Sequence, residues 1–321
     1  MTASRSRLLA VLATIAVVLV IVVGIVTLTQ RTEENPRAGS EDPTSTGPSE
    51  TTEPEASESA EPAEPESSAS PSEAAAVVPV YYVTETDKAR PRLVREFHRV
   101  AGDPFEGALH ELTSAAPQDD GYVTLWPGGD FGSVSFDGVG SNGVITVTVP
   151  EGEWTAPAPG MTRREAELAV QQVAYTLQGV AQARARLMFV TADGKPVRTL
   201  LGQDVADGVT QASALQTLNL INITSPASGE TLSGSEVVVT GVVNSFEGSG
   251  GCVLLAGDEE VASAVYQAEG WMEEKLFPFE VTLPLSDAGT GDVVVRCQTD
   301  DPTGGTEGFG TFTDDKLVTV R

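Results

Sequence analysis

The sequence predicts an α+β layer, a mostly antiparallel sheet with two helices, followed by an all-β sandwich. Both are expected behind an N-terminal transmembrane helix and a disordered linker. Three observations lead there. An apolar run near the N-terminus gives way to an acidic tract almost without apolar residues. Period-two stretches then alternate with two well-marked helices between residues 77 and 210. From residue 218 onward every strong signal is a short strand broken by Gly, Ser, Asp and Pro.

The apolar run extends from Leu8 to Thr29, behind Arg5 and Arg7. Roughly 20 apolar residues at about 1.5 Å rise each span a hydrocarbon core of about 30 Å. A cleaved signal peptide has a shorter core, about 7–15 residues, and a small-residue cleavage site. Here Gln30-Arg31-Thr32-Glu33 follows with no such site, and no Cys stands there to carry a lipid. The expectation is an uncleaved signal anchor at 8–29 in membrane lipid, with residues 1–7 as a cytoplasmic tail; a cleaved signal is the alternative. Arg31 and Arg37 blunt the charge asymmetry that sets orientation, so orientation rests on the cysteines. Cys252 and Cys297 are the only two, both in β-like segments. An even pair suggests a disulfide in an oxidising compartment, with two buried reduced thiols as the alternative. The chain thus reads as a single-pass protein of the cell membrane with its C-terminal domains outside the cytoplasm.

The formal net charge of −27 over 321 residues argues against nucleic acid as a partner, because phosphates need Lys and Arg to displace counterions. It equally disfavours close contact of the folded part with an anionic membrane surface. Residues 30–76 read as a disordered linker. Glu33 to Glu73 carries about a dozen acidic groups among Pro, Ser and Thr, with too little apolar surface to offset chain entropy. The remaining 245 or so residues suit two domains, each with its own core.

In the first domain, 77–210, Val77 to Val83 is a β-branched and aromatic run, and Leu93 to Val100 a second strand. Asp103-Pro104-Phe105-Glu106 starts a helix with a cap, a proline in the first turn and an acid against the dipole. Phe105, Ala108, Leu109 and Leu112 form its apolar stripe. Gly132 to Asp137 and Val144 to Val149 are strands around a Gly/Asn turn. Thr162 and Glu165 have capping-box spacing, and Ala166, Ala169, Val170, Val173, Ala174, Leu177 and Val180 follow on one face. Leu187 to Val190 and Val197-Arg198, joined at Asp193 to Pro196, close the domain. In the second domain, 218–321, strands run over 218–224, 237–243, 253–256, 261–266, 277–283, 293–297 and 316–320. Cys297 shares parity with Val293 and Val295, and Cys252 with Leu254, so both thiols face inward on neighbouring strands.

The VPVYYV strand, the DPFEGALHEL and VQQVAYTL helices and the closing LMFVTADGKPV hairpin resemble the GerMN domain, named for sporulation and spore germination proteins. The most specific part is Gln171 to Leu177 followed by Asp193 to Val197. Ala116-Pro117 stands where that family usually has Gly-Pro. Ile223 to Gly234, then Val237 to Gly241 and Pro278 to Pro284, resemble the immunoglobulin-like domain of bacterial spore germination, which often follows a GerMN domain. Cys252 lies where that family commonly has an aromatic-containing strand, so the disulfide belongs to this chain. The resemblance implies a fold and an extracytoplasmic bacterial setting, linked to germination or envelope signalling, and no catalytic residues.

The residues themselves point away from chemistry. No Cys-x-x-Cys or His-Glu-x-x-His spacing occurs, and neither metal nor cofactor is expected. His98 and His110 are expected at the surface. Asp119-Asp120, Asp300-Asp301 and Asp314-Asp315 read as solvated turns rather than calcium loops. Trp126, Phe131, Trp154 and Trp271 lie in or beside Gly/Pro-rich stretches and are the candidate binding-surface aromatics, with burial as loop anchors the alternative. The chain reads as a non-catalytic binding or scaffold protein of the envelope, its partner an envelope protein or wall polymer. The competing reading is a wall hydrolase built on Asp130, Glu151 and Glu153.

Overall fold

Strands β1 (Ala76–Glu85) and β2 (Pro91–Val100) pair antiparallel along their whole length, from Ala76↔Val100 to Glu85↔Pro91. Alternate residues Val78, Val80 and Tyr82 enter the core. They meet helix α1 (Pro104–Ser114) and helix α2 (Arg163–Ala181). In α1 the Asp103 carboxylate accepts from the amides of Phe105 and Glu106, and Ala108, Leu109 and Leu112 are buried as their spacing requires. The Thr162–Glu165 capping box forms in full at the start of α2.

The computed structural model describes residues 75–85, 90–138, 143–152, 154–271, 273–303 and 310–321. The tail, the apolar run 8–29, the linker up to residue 74 and Glu153 lie outside the described residues. Among the described residues no helix is long and apolar enough to cross a membrane.

The expected α+β layer with mostly antiparallel pairing is present in the first module, but its strands are divided among separate sheets and one pair is parallel. β1 and β2 form a sheet of their own. A second sheet has the order β3 (Val134–Asp137), β4 (Val144–Thr148), β5 (Arg186–Val190), and its β4–β5 pair is parallel. Helix α2 is the crossover between them, and a crossover returns the chain in the same direction, which a hairpin cannot do. The closing hairpin reaches only a bridge, Val190↔Pro196. A short pair, β6 (Thr199–Leu200) and β7 (Gln203–Asp204), follows, and then a one-turn helix α3 (Ala214–Thr217) leads out.

The second module is a sandwich of two sheets. One has the order β13 (Phe277–Pro284), β10 (Glu236–Val243), β8 (Ile221–Ser225). The other has the order β12 (Glu259–Gln267), β11 (Ser249–Ala256), β14 (Gly291–Thr299), β15 (Thr313–Val320), β9 (Thr231–Leu232). The two-residue β9 was not legible, and β11 starts four residues before its apolar signal, because Ser249-Gly250-Gly251 pairs without apolar side chains. Cys252 and Cys297 stand directly opposite each other on β11 and β14, 4.0 Å apart at Cα, and are joined as a disulfide. The bond clips neighbouring strands of one sheet; closing a 45-residue separation adds about 4 kcal/mol in the chain-entropy model.

Gly241 marks one of the tightest points of this sandwich. The pairing of β10 with β8 shifts register beside it, and a Cβ there would lie 2.3 Å from the Asn222 carbonyl oxygen and 2.6 Å from the Phe279 ring. Backbone cannot yield as a flexible side chain does. Gly241→Ala is therefore expected to lower the unfolding free energy by about 1–3 kcal/mol, measured by urea denaturation.

Candidate functional site

The polar residues of α2 position the junction between the modules. Thr176 accepts the Tyr81 amide at 3.0 Å, and Gln172 donates to the Tyr81 carbonyl at 2.9 Å while accepting the Leu125 amide at 2.8 Å. Together they satisfy the edge of β1, which otherwise would bury unpaired backbone. Gln171 accepts the Ala212 amide at 2.8 Å and donates to the Thr210 carbonyl, Tyr175 donates to the Ala212 carbonyl at 2.8 Å, and Gln178 donates to the Ala185 carbonyl. Residues 210–212, the start of the connection to the second module, are thus held by side chains of one helix.

From there the connection is fastened to β2. Arg92 donates to the Leu215 carbonyl at 2.6 Å, and the Asn219 amide donates to the Leu93 carbonyl at 2.7 Å. Burial, and then the neighbouring Arg164 and Arg90, pull the Arg92 pKa down to about 10. The Arg95 amide donates to the Asn222 side chain on β8.

A buried charge network completes the joint. The Lys316 ammonium of β15, only 3% exposed, donates to the Tyr122 hydroxyl at 2.6 Å, to Asp119 at 3.1 Å and to Asp314 at 3.3 Å. Asp314 also accepts the Tyr122 hydroxyl and, at 2.6 Å, the Ile223 amide. Burial works against the ammonium, but Asp314 and Asp119 outweigh it and hold the Lys316 pKa above its ordinary value. Burial, then Asp314 and Asp119, push the Tyr122 hydroxyl well up, so it stays a donor.

The network continues into the first module. Glu96 accepts the amides of Gln118 and Asp119, each at 2.9 Å, and so fixes the turn that carries Asp119. His98, 5% exposed, lies between two carboxylates, Nε2 at 2.9 Å from Glu96 and Nδ1 at 2.8 Å from Glu111. The expected surface position of His98 is thereby corrected: alternation turns it to the buried face of β2, where α1 brings Glu111 to it. Burial opposes a charged imidazole, yet the hydrogen bonds and charges of Glu96 and then Glu111 hold its pKa above the ordinary value.

Beside this joint lies a cleft of about 180 Å³. The first module lines it with Tyr81, Arg95, Tyr175 and Arg184, and the second with Val242, Lys275 and Leu276. The two tyrosine rings lie 5.2 Å apart at 53°.

Residues 79–198 match the family described as sporulation and spore germination, and residues 220–306 match the immunoglobulin-like domain of bacterial spore germination. The first module is a GerMN domain and the second is that immunoglobulin-like domain. No curated protein matches the chain. Among solved structures, the tandem GerMN domains of the sporulation protein GerM from Bacillus subtilis are similar at 13% identity and a TM-score of 0.31, over 65% of this chain and 60% of that one. The crystal structure of an engineered protein is similar at 17% identity and a TM-score of 0.26, over 55% and 40% respectively. The chain thus spans less than two thirds of either structure.

The GerMN domain does not gather the four candidate aromatics into one surface. Trp126 is buried in the core, with Phe131 at 4.4 Å and Trp154 stacked at 5.3 Å between ring centres, both partly buried and packed against it. They anchor the loops that carry them. Trp154 donates from its ring to the Pro150 carbonyl. Trp271, in the immunoglobulin-like domain, is 37% exposed and meets Phe246, 46% exposed, edge on. Of the acids proposed for hydrolysis, Asp130 is exposed and accepts the Ser114 hydroxyl, and Glu151 is exposed. The acidic pairs divide: Asp315 is an exposed partner of Arg296, whereas Asp314 is buried in a strand, which corrects its reading as a solvated turn. Among the described residues no group of three or more His, Cys, Asp or Glu is placed to hold a metal. Sequence reasoning missed Asp119, Tyr122, Asp314 and Lys316; the lysine and aspartate on β15 lie beyond the matched range, and only inward parity in that strand marked them.

Two outcomes follow from this network. Lys316→Met leaves Asp314 buried without its cation and is expected to cost about 3–5 kcal/mol; the Lys316→Met/Asp314→Asn pair recovers part of that, both read by urea denaturation. His98 has a folded pKa above its unfolded value of about 6.5. Its contribution is therefore complete below that pH and is lost as pH rises through the folded value. Stability is expected to fall from about pH 6.5 upward more steeply than in His98→Gln, checked by denaturation across a pH series.

Proposed function

We propose that this chain is a membrane-anchored, non-catalytic binding protein of the bacterial cell envelope. In this reading the GerMN and immunoglobulin-like domains project beyond the membrane on the acidic linker and engage an envelope protein or a wall polymer. The supporting observation is the junction. Three side chains from both domains converge on one buried ammonium, so the pair is built to present a single composite surface rather than two independent ones. The disulfide between β11 and β14 agrees with an oxidising setting, and the germination-type domains agree with an envelope role.

The test is topology and capture together. Protease added to spheroplasts is expected to digest the C-terminal domains along with known exterior markers. Crosslinking in intact cells is expected to capture an envelope protein or wall fragment on them. Protection of the C-terminal portion while exterior markers are digested overturns the reading.

A further inference from the structure

We propose that the cleft between the two domains binds a small anion, a carboxylate or phosphate monoester on an apolar or sugar body, held by Arg95 and Arg184 against the Tyr81–Tyr175 ring pair. This gives the binding reading above a ligand class, and rests on it only for the ligand's origin in the envelope.

The argument starts from charge. In a chain of net charge −27, cations are expected to be taken up by the surplus acids. That holds for Arg164, Lys195, Lys275, Arg296 and Lys316, each in an ion pair. Among the described residues Arg95, Arg99, Arg163, Arg184, Arg186 and Arg198 are in no such pair, and of these Arg95 and Arg184 line the same cleft. The Arg95 guanidinium lies over the Phe97 ring at 4.7 Å, and its closest side-chain acceptor on the second domain, the Thr224 hydroxyl, is 3.4 Å away. Such a contact is weak by hydrogen-bond geometry. Planar guanidinium forks match carboxylate and phosphate oxygens and gain most where no resident acid competes. The one acid in the lining, Glu274, is engaged by the connection between the domains, accepting the Ser213 hydroxyl and the Leu215 amide.

Shape and size narrow the ligand. Tyr81, backed by the 3%-exposed Tyr175 ring at 53°, gives the cleft an apolar wall suited to a sugar face or an alkyl group, and Leu276 adds apolar surface from the other domain. At about 180 Å³ the cleft lies below the roughly 300–1,000 Å³ of drug-sized sites. It suits one sugar or the end of a dipeptide. Because its walls come from both domains, the rigid joint at Lys316 keeps the guanidiniums and the apolar wall in register.

The experiment is saturation-transfer NMR on the full chain with N-acetyl-alanyl-alanine and glycerol 3-phosphate as probes, and their neutral counterparts, the dipeptide amide and glycerol, as controls. At least one anion is expected to bind saturably and at least tenfold more tightly than its neutral counterpart. A dipeptide response points to peptide carboxylates, and a glycerol 3-phosphate response to phosphate-bearing ligands. Arg184→Glu, at an exposed position, is expected to weaken that binding at least tenfold with an unchanged melting temperature; Arg184→Gln serves where the reversal disturbs folding. No saturable binding of either anion, or binding that the Arg184 variants leave unchanged, overturns the proposal. Capture of an envelope partner in cells without anion binding removes the cleft proposal alone. Anion binding with a protease-protected C-terminus removes the envelope reading and keeps the cleft.

Discussion

Taking a lysine ammonium out of water is costly unless carboxylates and hydroxyls come with it, and Lys316 brings its partners from two domains. Asp314 lies two residues away on the same strand; Tyr122 and Asp119 come from a turn of the GerMN domain. Parting the domains would strand the ammonium beside Asp314 and remove its other two partners. The relative placement of β15 and the 118–122 turn is therefore constrained by charge satisfaction. Glu96 extends the constraint inward, because the carboxylate that fixes this turn is also the neighbour of His98.

A second constraint is backbone satisfaction around α2. Gln171, Gln172, Tyr175, Thr176 and Gln178 lie on a helix whose buried face is wider than its apolar stripe. Each of these side chains meets backbone of β1, of the 210–212 connection or of residue 185. These polar residues are thus part of the architecture. What they build is the junction, with Tyr81 and Tyr175 placed on the cleft wall as a consequence.

Much of the fold was legible because local rules suffice for it. The Asp103 cap, the Thr162–Glu165 box, the alternation of β13 and the inward parity of Cys252 and Cys297 each depend on near neighbours, and each appears where the sequence places it. The parallel β4–β5 pairing was not legible, since it depends on where α2 returns the chain. The site was harder. Trp126, Phe131 and Trp154 carry the same loop signal as Trp271, yet three anchor the core and one reaches solvent. Glycine and proline content marks a loop without saying on which side of it the ring lies.

The sequence by itself determined the longer elements, the two-domain order, the cysteine pairing and the acidic surplus, because periodicity, capping and composition act within a few residues or over the whole chain. The tertiary structure alone decided which charges are buried, which cations lack an acid and where the two domains meet. Those depend on residues some 200 positions apart, such as Tyr122 and Asp314, separated by 192. Burial and pairing of a charge are properties of its surroundings, and a strand's own residues do not contain them.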